Sequence, residues 1–227
     1  MSSRRAQKDA RKRPHTKNIP SLSPIPYPAD QAQIAEAAHR AVCEVTGTDG
    51  FGKCLAYAVA GYALLGDAGY MIQAGTLTIV ADPSNPAGAG LIRMDASNGG
   101  FDRGEYHAWL ARQVGHRVEV VDLAARHYRR YVNEVNPVSD AITLPGGGAL
   151  WVIDRTEDRI RWTRPGEPPT FVWTEDGHAE GLAYFMPDVE ACLSAWSVVA
   201  RDPMFHHLRE SARRHMAALT PDSLHVA

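Results

Sequence analysis

The stretch Glu105-Tyr-His-Ala-Trp-Leu-Ala-Arg-Gln-Val-Gly-His-Arg-Val-Glu-Val-Val-Asp122 decides the architecture. Two strand-like runs of alternating apolar and polar residues flank Val114-Gly115, the pattern of half-buried strands joined by a tight turn. With Val114 and Gly115 as the central turn residues, Gln113 faces His116, and counting outward sets His107 against Asp122. Directly opposed residues of an antiparallel pair have Cβ atoms about 4.5–5.5 Å apart on one face. This register predicts a His107–Asp122 hydrogen bond, with Trp109, Ala111, Val118 and Val120 on the same mostly apolar face. A dry face would strengthen that bond. A one-residue slip would carry Asp122 to the opposite face and abolish it.

Upstream, Cys54 opens the run Cys-Leu-Ala-Tyr-Ala-Val-Ala-Gly-Tyr-Ala-Leu-Leu, after the glycine-rich approach Thr46-Gly-Thr-Asp-Gly-Phe-Gly-Lys53. Ala, Leu and Tyr without an interior proline favour helix, and Gly50 and Gly52 break the chain before it. The first turn of a helix presents unpaired N–H groups and the positive end of the macrodipole, a setting that favours a thiolate. The same N–H groups suit an oxyanion formed when a thiolate attacks a carbonyl.

Each of the three residues also has a purely structural explanation. A cysteine in an Ala/Leu-rich helix is usually a small core residue. Asp122 precedes Leu-Ala-Ala-Arg-His-Tyr and qualifies as a helix N-cap. The order Cys-helix, His-strand, Asp-strand is what raises Cys54, His107 and Asp122 to candidate catalytic residues. Trp109, two residues from His107 on its face, is the candidate substrate-binding residue, able to wall an acyl pocket or to shield the His–Asp bond.

These pieces, Gly52-Lys-Cys54 opening a helix, His107-Ala-Trp109 in a strand and Asp122 ending the next, resemble the papain-like, transglutaminase-like cysteine enzymes. The resemblance spans roughly residues 45–125 and extends to arylamine N-acetyltransferases and bacterial transglutaminase-like peptidases. It implies that Cys54 is the nucleophile, His107 the general base and acid, and Asp122 the group that orients the imidazole. Cys54-Leu55 stands where several of these families have Cys-Trp, so the particular family stays open. Protease, amidase, deamidase, transglutaminase-like and N-acetyltransferase chemistry all fit this machinery. So does a non-catalytic binding protein on the same scaffold.

The composition of the 227-residue chain, 44% hydrophobic and 22% charged, is that of a soluble globular protein. The net charge of −2 gives the folded part no reason to bind nucleic acid or membrane. Cys43, Cys54 and Cys192 form no Cys-x-x-Cys pair. So sparse and odd a set points to a reducing, cytoplasmic setting rather than a disulfide framework. No secretory h-region and no apolar run of membrane-spanning length is present. Residues 1–20 carry seven Lys/Arg against Asp9. They read as a solvated tail, and as the one place where a nucleic acid or other polyanion would bind.

The expected organisation is a basic and proline-rich tail over residues 1–29 and one α+β domain over residues 30–227. A helix is predicted from Gln31 to Val45, capped by Asp30, and a strand from Tyr70 to Ala81. Residues 82–104 read as a long loop that leads into the His107 strand and could cover the site. Leu123–Val135 reads as a helix and Ala149–Asp154 as a strand. Arg159–Thr163 and Thr170–Thr174 read as a hairpin, with Val189–Ala200 and His206–Leu219 as closing helices. Trp151, Trp162, Phe171 and Trp173 read as core or cross-strand aromatics. No cofactor is implied. The Glu36-x-x-His39 and Cys43 grouping is too small for a metal centre, and Arg209, Arg213 and Arg214 disfavour a cation near His206, His207 and His215. The expected substrate is a peptide, protein or small amide or acyl compound.

Overall fold

The computed structural model describes residues 31–80, 90–114, 117–128, 130–131, 150–152, 170–175 and 178–220. Among these, four α-helices and seven strands form an α+β architecture in which every strand pairing is antiparallel. The strands are β1 (Met71–Val80), β2 (Gly90–Met94), β3 (His107–Val114), β4 (Arg117–Asp122), β5 (Leu150–Val152), β6 (Thr170–Glu175) and β7 (His178–Pro187). Their order across the sheet is β5-β4-β3-β1-β7-β6, with β2 paired to β1. The end strands β5 and β6 approach each other, so the sheet curls.

Helix α2 (Cys54–Leu65) is apolar on every side, and a helix of that kind must be buried all round. It lies at the centre, against α1 (Gln31–Thr46), α4 (Pro203–Leu219) and strand β3. Gly61 permits the closest approach, because a Cβ there would sit 2.5 Å from Leu123 Cδ1 and 2.6 Å from Leu110 Cδ1. Helix α1 contributes Ile34, Ala38, Ala41 and Val42 to this core, and α4 contributes Phe205, Leu208 and Ala212. Glu44 of α1 ties the two together, accepting from Ser211 Oγ (2.8 Å), Arg214 Nη2 (2.7 Å) and His215 Nε2 (2.8 Å). Helix α3 (Val189–Arg201) is capped by Asp188 and packs on β1, where Trp196 Nε1 donates to Ile72 O at 3.2 Å.

Among the described residues, both faces of the sheet carry buried side chains. Ile72, Ala74, Ala108, Leu110 and Val121 meet the helices, whereas Leu77, Ile79, His107, Trp109, Val120 and Phe185 occupy the alternate positions, on the other face. That second face carries the polar pair.

Two expectations need correction. The pairs Val114↔Arg117 through Leu110↔Val121 set the β3–β4 register two residues away from the one counted about Val114-Gly115. One further step in that register puts Trp109, not His107, opposite Asp122. Part of the expected 82–104 loop is strand β2, bonded to β1. Strand β6 pairs with β7, and the Arg159–Thr163 half of the expected hairpin lies outside the described residues. Asp30, Trp162 and residues 1–20 also lie outside them, as do the side chains of Trp151, Phe171 and Trp173.

Candidate functional site

A register shift of two preserves the face, because the side-chain period of a strand is two. His107 and Asp122 therefore still project to the same side, as diagonal rather than direct neighbours. Diagonal positions remain within reach of a ring and a carboxylate. His107 Nε2 lies 2.6 Å from Asp122 Oδ2, with both side chains at most 1% exposed. With a carboxylate as acceptor, Nε2 carries the proton.

Asp122 does two jobs with its two oxygens. Oδ1 accepts the Ala124 N–H at 2.9 Å and caps the 3-10 turn Leu123–His127, while Oδ2 takes His107. The capping and orienting explanations are thus both satisfied by one side chain. The Tyr128 hydroxyl donates to the same Oδ2. Nothing in the sequence singles out Tyr128, since Leu123–Val135 reads as an α-helix, in which position six past the cap points elsewhere. In a 3-10 turn side chains three apart eclipse, so the sixth residue returns to the face of the first.

Cys54 begins α2, after Gly52 at φ +70° and with no side-chain cap from Lys53. The first bond of the helix is Tyr57 N to Lys53 O at 3.1 Å, so the N–H groups of Cys54, Leu55 and Ala56 precede the hydrogen-bonded ladder. The half-buried Cys54 thiol lies 3.8 Å from the Tyr106 carbonyl oxygen. Tyr106 directly precedes His107, which brings the thiol to the start of β3.

Burial alone would lower the His107 pKa. The charge and hydrogen bond of Asp122 outweigh burial, the Cys54 thiol adds to them, and the ring is pushed up to about 10. Its second nitrogen, Nδ1, is buried and makes no hydrogen bond of normal geometry with any described residue. Since Nε2 is engaged by Asp122, Nδ1 is the nitrogen left to meet Cys54. Cys54, His107 and Tyr128 line one cavity of about 640 Å³, together with Phe51, Lys53 and His127.

Trp109 is 1% exposed and is not among the residues lining this cavity. Its ring lies nearly parallel to that of His107, with centroids 6.3 Å apart, and its other neighbour is Phe185 at 5.2 Å. It shields the His107–Asp122 pair from behind.

The residues weighed as metal ligands are otherwise engaged. Glu36 pairs with Arg40 at 2.8 Å, and His39 Nδ1 bonds Tyr57 Oη at 2.7 Å. Among the described residues, His206, His207 and Glu210 bring three ligand atoms together, all exposed on one helix. No described helix is long and apolar enough to cross a membrane. No family model, curated protein or solved structure matches the chain.

Proposed function

We propose that the chain is a cysteine-dependent hydrolase or acyl/amide-transfer enzyme that works through a thioester on Cys54. The observation that carries this reading is the buried His107–Asp122 hydrogen bond, with its free imidazole nitrogen beside a thiol at a helix start. A histidine held protonated next to a cysteine favours the thiolate as an ion pair, and the thiolate is the nucleophile. Attack on an acyl carbonyl forms the C–S bond, the first-turn N–H groups of α2 receive the oxyanion, and His107 gives its proton to the leaving group. Asp122 keeps the ring in the tautomer and orientation this needs.

The papain-like, transglutaminase-like core belongs to the same proposal, supported by the order of Cys-helix, His-strand and Asp-strand. So does a reducing cytoplasmic setting, which would keep Cys54 free. Substrates with an amide or ester carbonyl suit the cavity.

The test is limiting iodoacetamide at neutral pH followed by peptide mapping. Cys54 should label first. Burial pushes the Cys43 and Cys192 thiols up, and Cys192 is further engaged with the Ala74 backbone at 3.2 Å. Preferential labelling of Cys43 or Cys192, or a Cys54 rate untouched by His107→Ala, would refute the reading.

A further inference from the structure

The cavity wall holds a second imidazole that the Cys54 machinery does not use. His127 lines the cavity with Cys54, and its Nε2 lies 3.0 Å from Tyr57 Oη. The same hydroxyl lies 2.7 Å from His39 Nδ1 on α1. Tyr57 follows Cys54 by three residues, so it shares a face of α2 with the nucleophile. The His127 ring is held edge-on by Phe51, at 5.9 Å between centroids, and by Tyr57, at 5.6 Å. Tyr57 itself is 1% exposed. One hydroxyl owns one proton, so Tyr57 donates to one imidazole and accepts from the other. Nε2 is engaged by Tyr57, which leaves Nδ1 as the His127 nitrogen for an occupant of the cavity that the residue lines.

We propose that His127 is the base for the incoming acyl acceptor and that Tyr57 and His39 carry the accepted proton away from the cavity. This rests on the thioester reading of Cys54. Water, or an amine, attacks the thioester carbonyl, forming the new C–O or C–N bond while its proton passes to His127 Nδ1. The Nε2 proton of His127 moves to Tyr57 Oη, and the proton Tyr57 held moves to His39 Nδ1. Collapse of the tetrahedral intermediate breaks the C–S bond, whose electron pair leaves on Cys54 as thiolate. His39 is partly exposed and returns the proton to solvent.

The electrostatics support the division of labour. Burial and then the Arg126 charge hold both His127 and His39 low, against the opposing charges of Asp49 on both and Glu36 on His39. Arg130 adds to the lowering at His127. Both rings are therefore neutral at neutral pH, as a base and a proton acceptor must be. Burial pushes the Tyr57 phenol up, so it relays a proton without ionising. For acyl donors whose leaving group departs as an anion, His107 is poorly suited to this step. There the proton taken from Cys54 stays on Nδ1 while the Nε2 proton stays directed at Asp122, so neither nitrogen is free to accept another.

The experiment separates the two half-reactions with p-nitrophenyl acetate as acyl donor. Nitrophenolate release with protein in excess gives the acylation rate, and intact-mass decay of the acetylated protein gives deacylation, each corrected with Cys54→Ser. The informative variants are His127→Gln and Tyr57→Phe, the latter removing only the hydroxyl from a packed ring. Both should leave acylation within about twofold and slow deacylation by about a hundredfold, the lower end of what a positioned base contributes. Unchanged deacylation in both variants, or parallel loss of both half-reactions, would make the cluster a structural tie and overturn the proposal. Slowing by His127→Gln alone would overturn the relay through Tyr57. If the unaltered protein never carries the acetyl group on Cys54, the thioester reading itself has failed, and the inference falls with it.

Discussion

Tyr128 donates its hydroxyl to the Asp122 oxygen that also takes the His107 Nε2–H, and the Asp122 and His107 side chains are at most 1% exposed while Tyr128 is 2% exposed. A carboxylate pulled by two donors on one oxygen and by the Ala124 amide on the other is fixed in position as well as in charge. Removing the phenol oxygen in Tyr128→Phe should cost about 1.5–3 kcal/mol, the range for a hydrogen bond to a charged group. Urea unfolding measures this. Asp122 keeps His107 in that variant, so Cys54 labelling should slow less than in Asp122→Asn. The reverse order would place the orienting role outside Asp122.

The His107–Asp122 pair gives stability a definite pH dependence. The folded-state pKa of His107 stands at about 10, above an unfolded value of about 6.5. The native state thus binds its proton more tightly than the unfolded chain does. The resulting stabilisation is complete below about pH 6.5 and is lost as pH rises through about 10. Across that window the loss approaches about 1.4 kcal/mol for every pH unit. Unfolding free energies between about pH 6 and pH 10 should fall more steeply for the unaltered protein than for His107→Gln. Equal slopes would mean that folding takes up no net proton at the Cys54, His107 and Asp122 group.

The local signals carried the site further than they carried the sheet. Helix periodicity and the glycine breaks placed α1 and the start of α2 within a residue, because both are set by neighbours along the chain. The β3–β4 register came out two residues off, and the pair survived only because a shift of two keeps the face. Strand partners were harder to see. Gly181 interrupts the alternation in β7, and nothing local announces that Thr170–Glu175 pairs with it. His127 and His39 were visible as residues, but Tyr57 joins them from helix α2, and no spacing rule announces such a junction.

Residues 1–20 should be dispensable for folding and for the reactivity of Cys54. Seven Lys/Arg among them offer little apolar surface to bury, and the proline-rich residues 20–28 separate them from α1. A chain starting at Ser21 should keep its melting temperature and its Cys54 labelling rate. A marked drop in melting temperature would show that the tail packs on the folded part. Loss of polyanion binding alone would assign the tail that role, and its salt dependence would report how many phosphates it meets.

Gly61 controls the distance between the nucleophile's helix and the histidine's strand. The ends of Leu123 and Leu110, 3% and 0% exposed, occupy the space a side chain would need, 2.5 and 2.6 Å from a Cβ. Two effects compete in Gly61→Ala. Helix propensity favours alanine by about 0.8–1 kcal/mol, while overpacking a filled core costs about 1–3 kcal/mol. Overpacking outweighs propensity, and the alanine variant should lose up to about 2 kcal/mol, read as a fall in melting temperature. Gly61→Val loses most of the propensity gain and adds two methyl groups, so packing wins and the protein should lose about 2 kcal/mol or more. Relief would come by moving α2 off β3, which carries Cys54 away from His107. Cys54 labelling should therefore slow in the valine variant even at temperatures where it is fully folded. A valine variant that is destabilised but labels at the original rate would show that the Cys54–His107 contact does not depend on how closely α2 sits on β3.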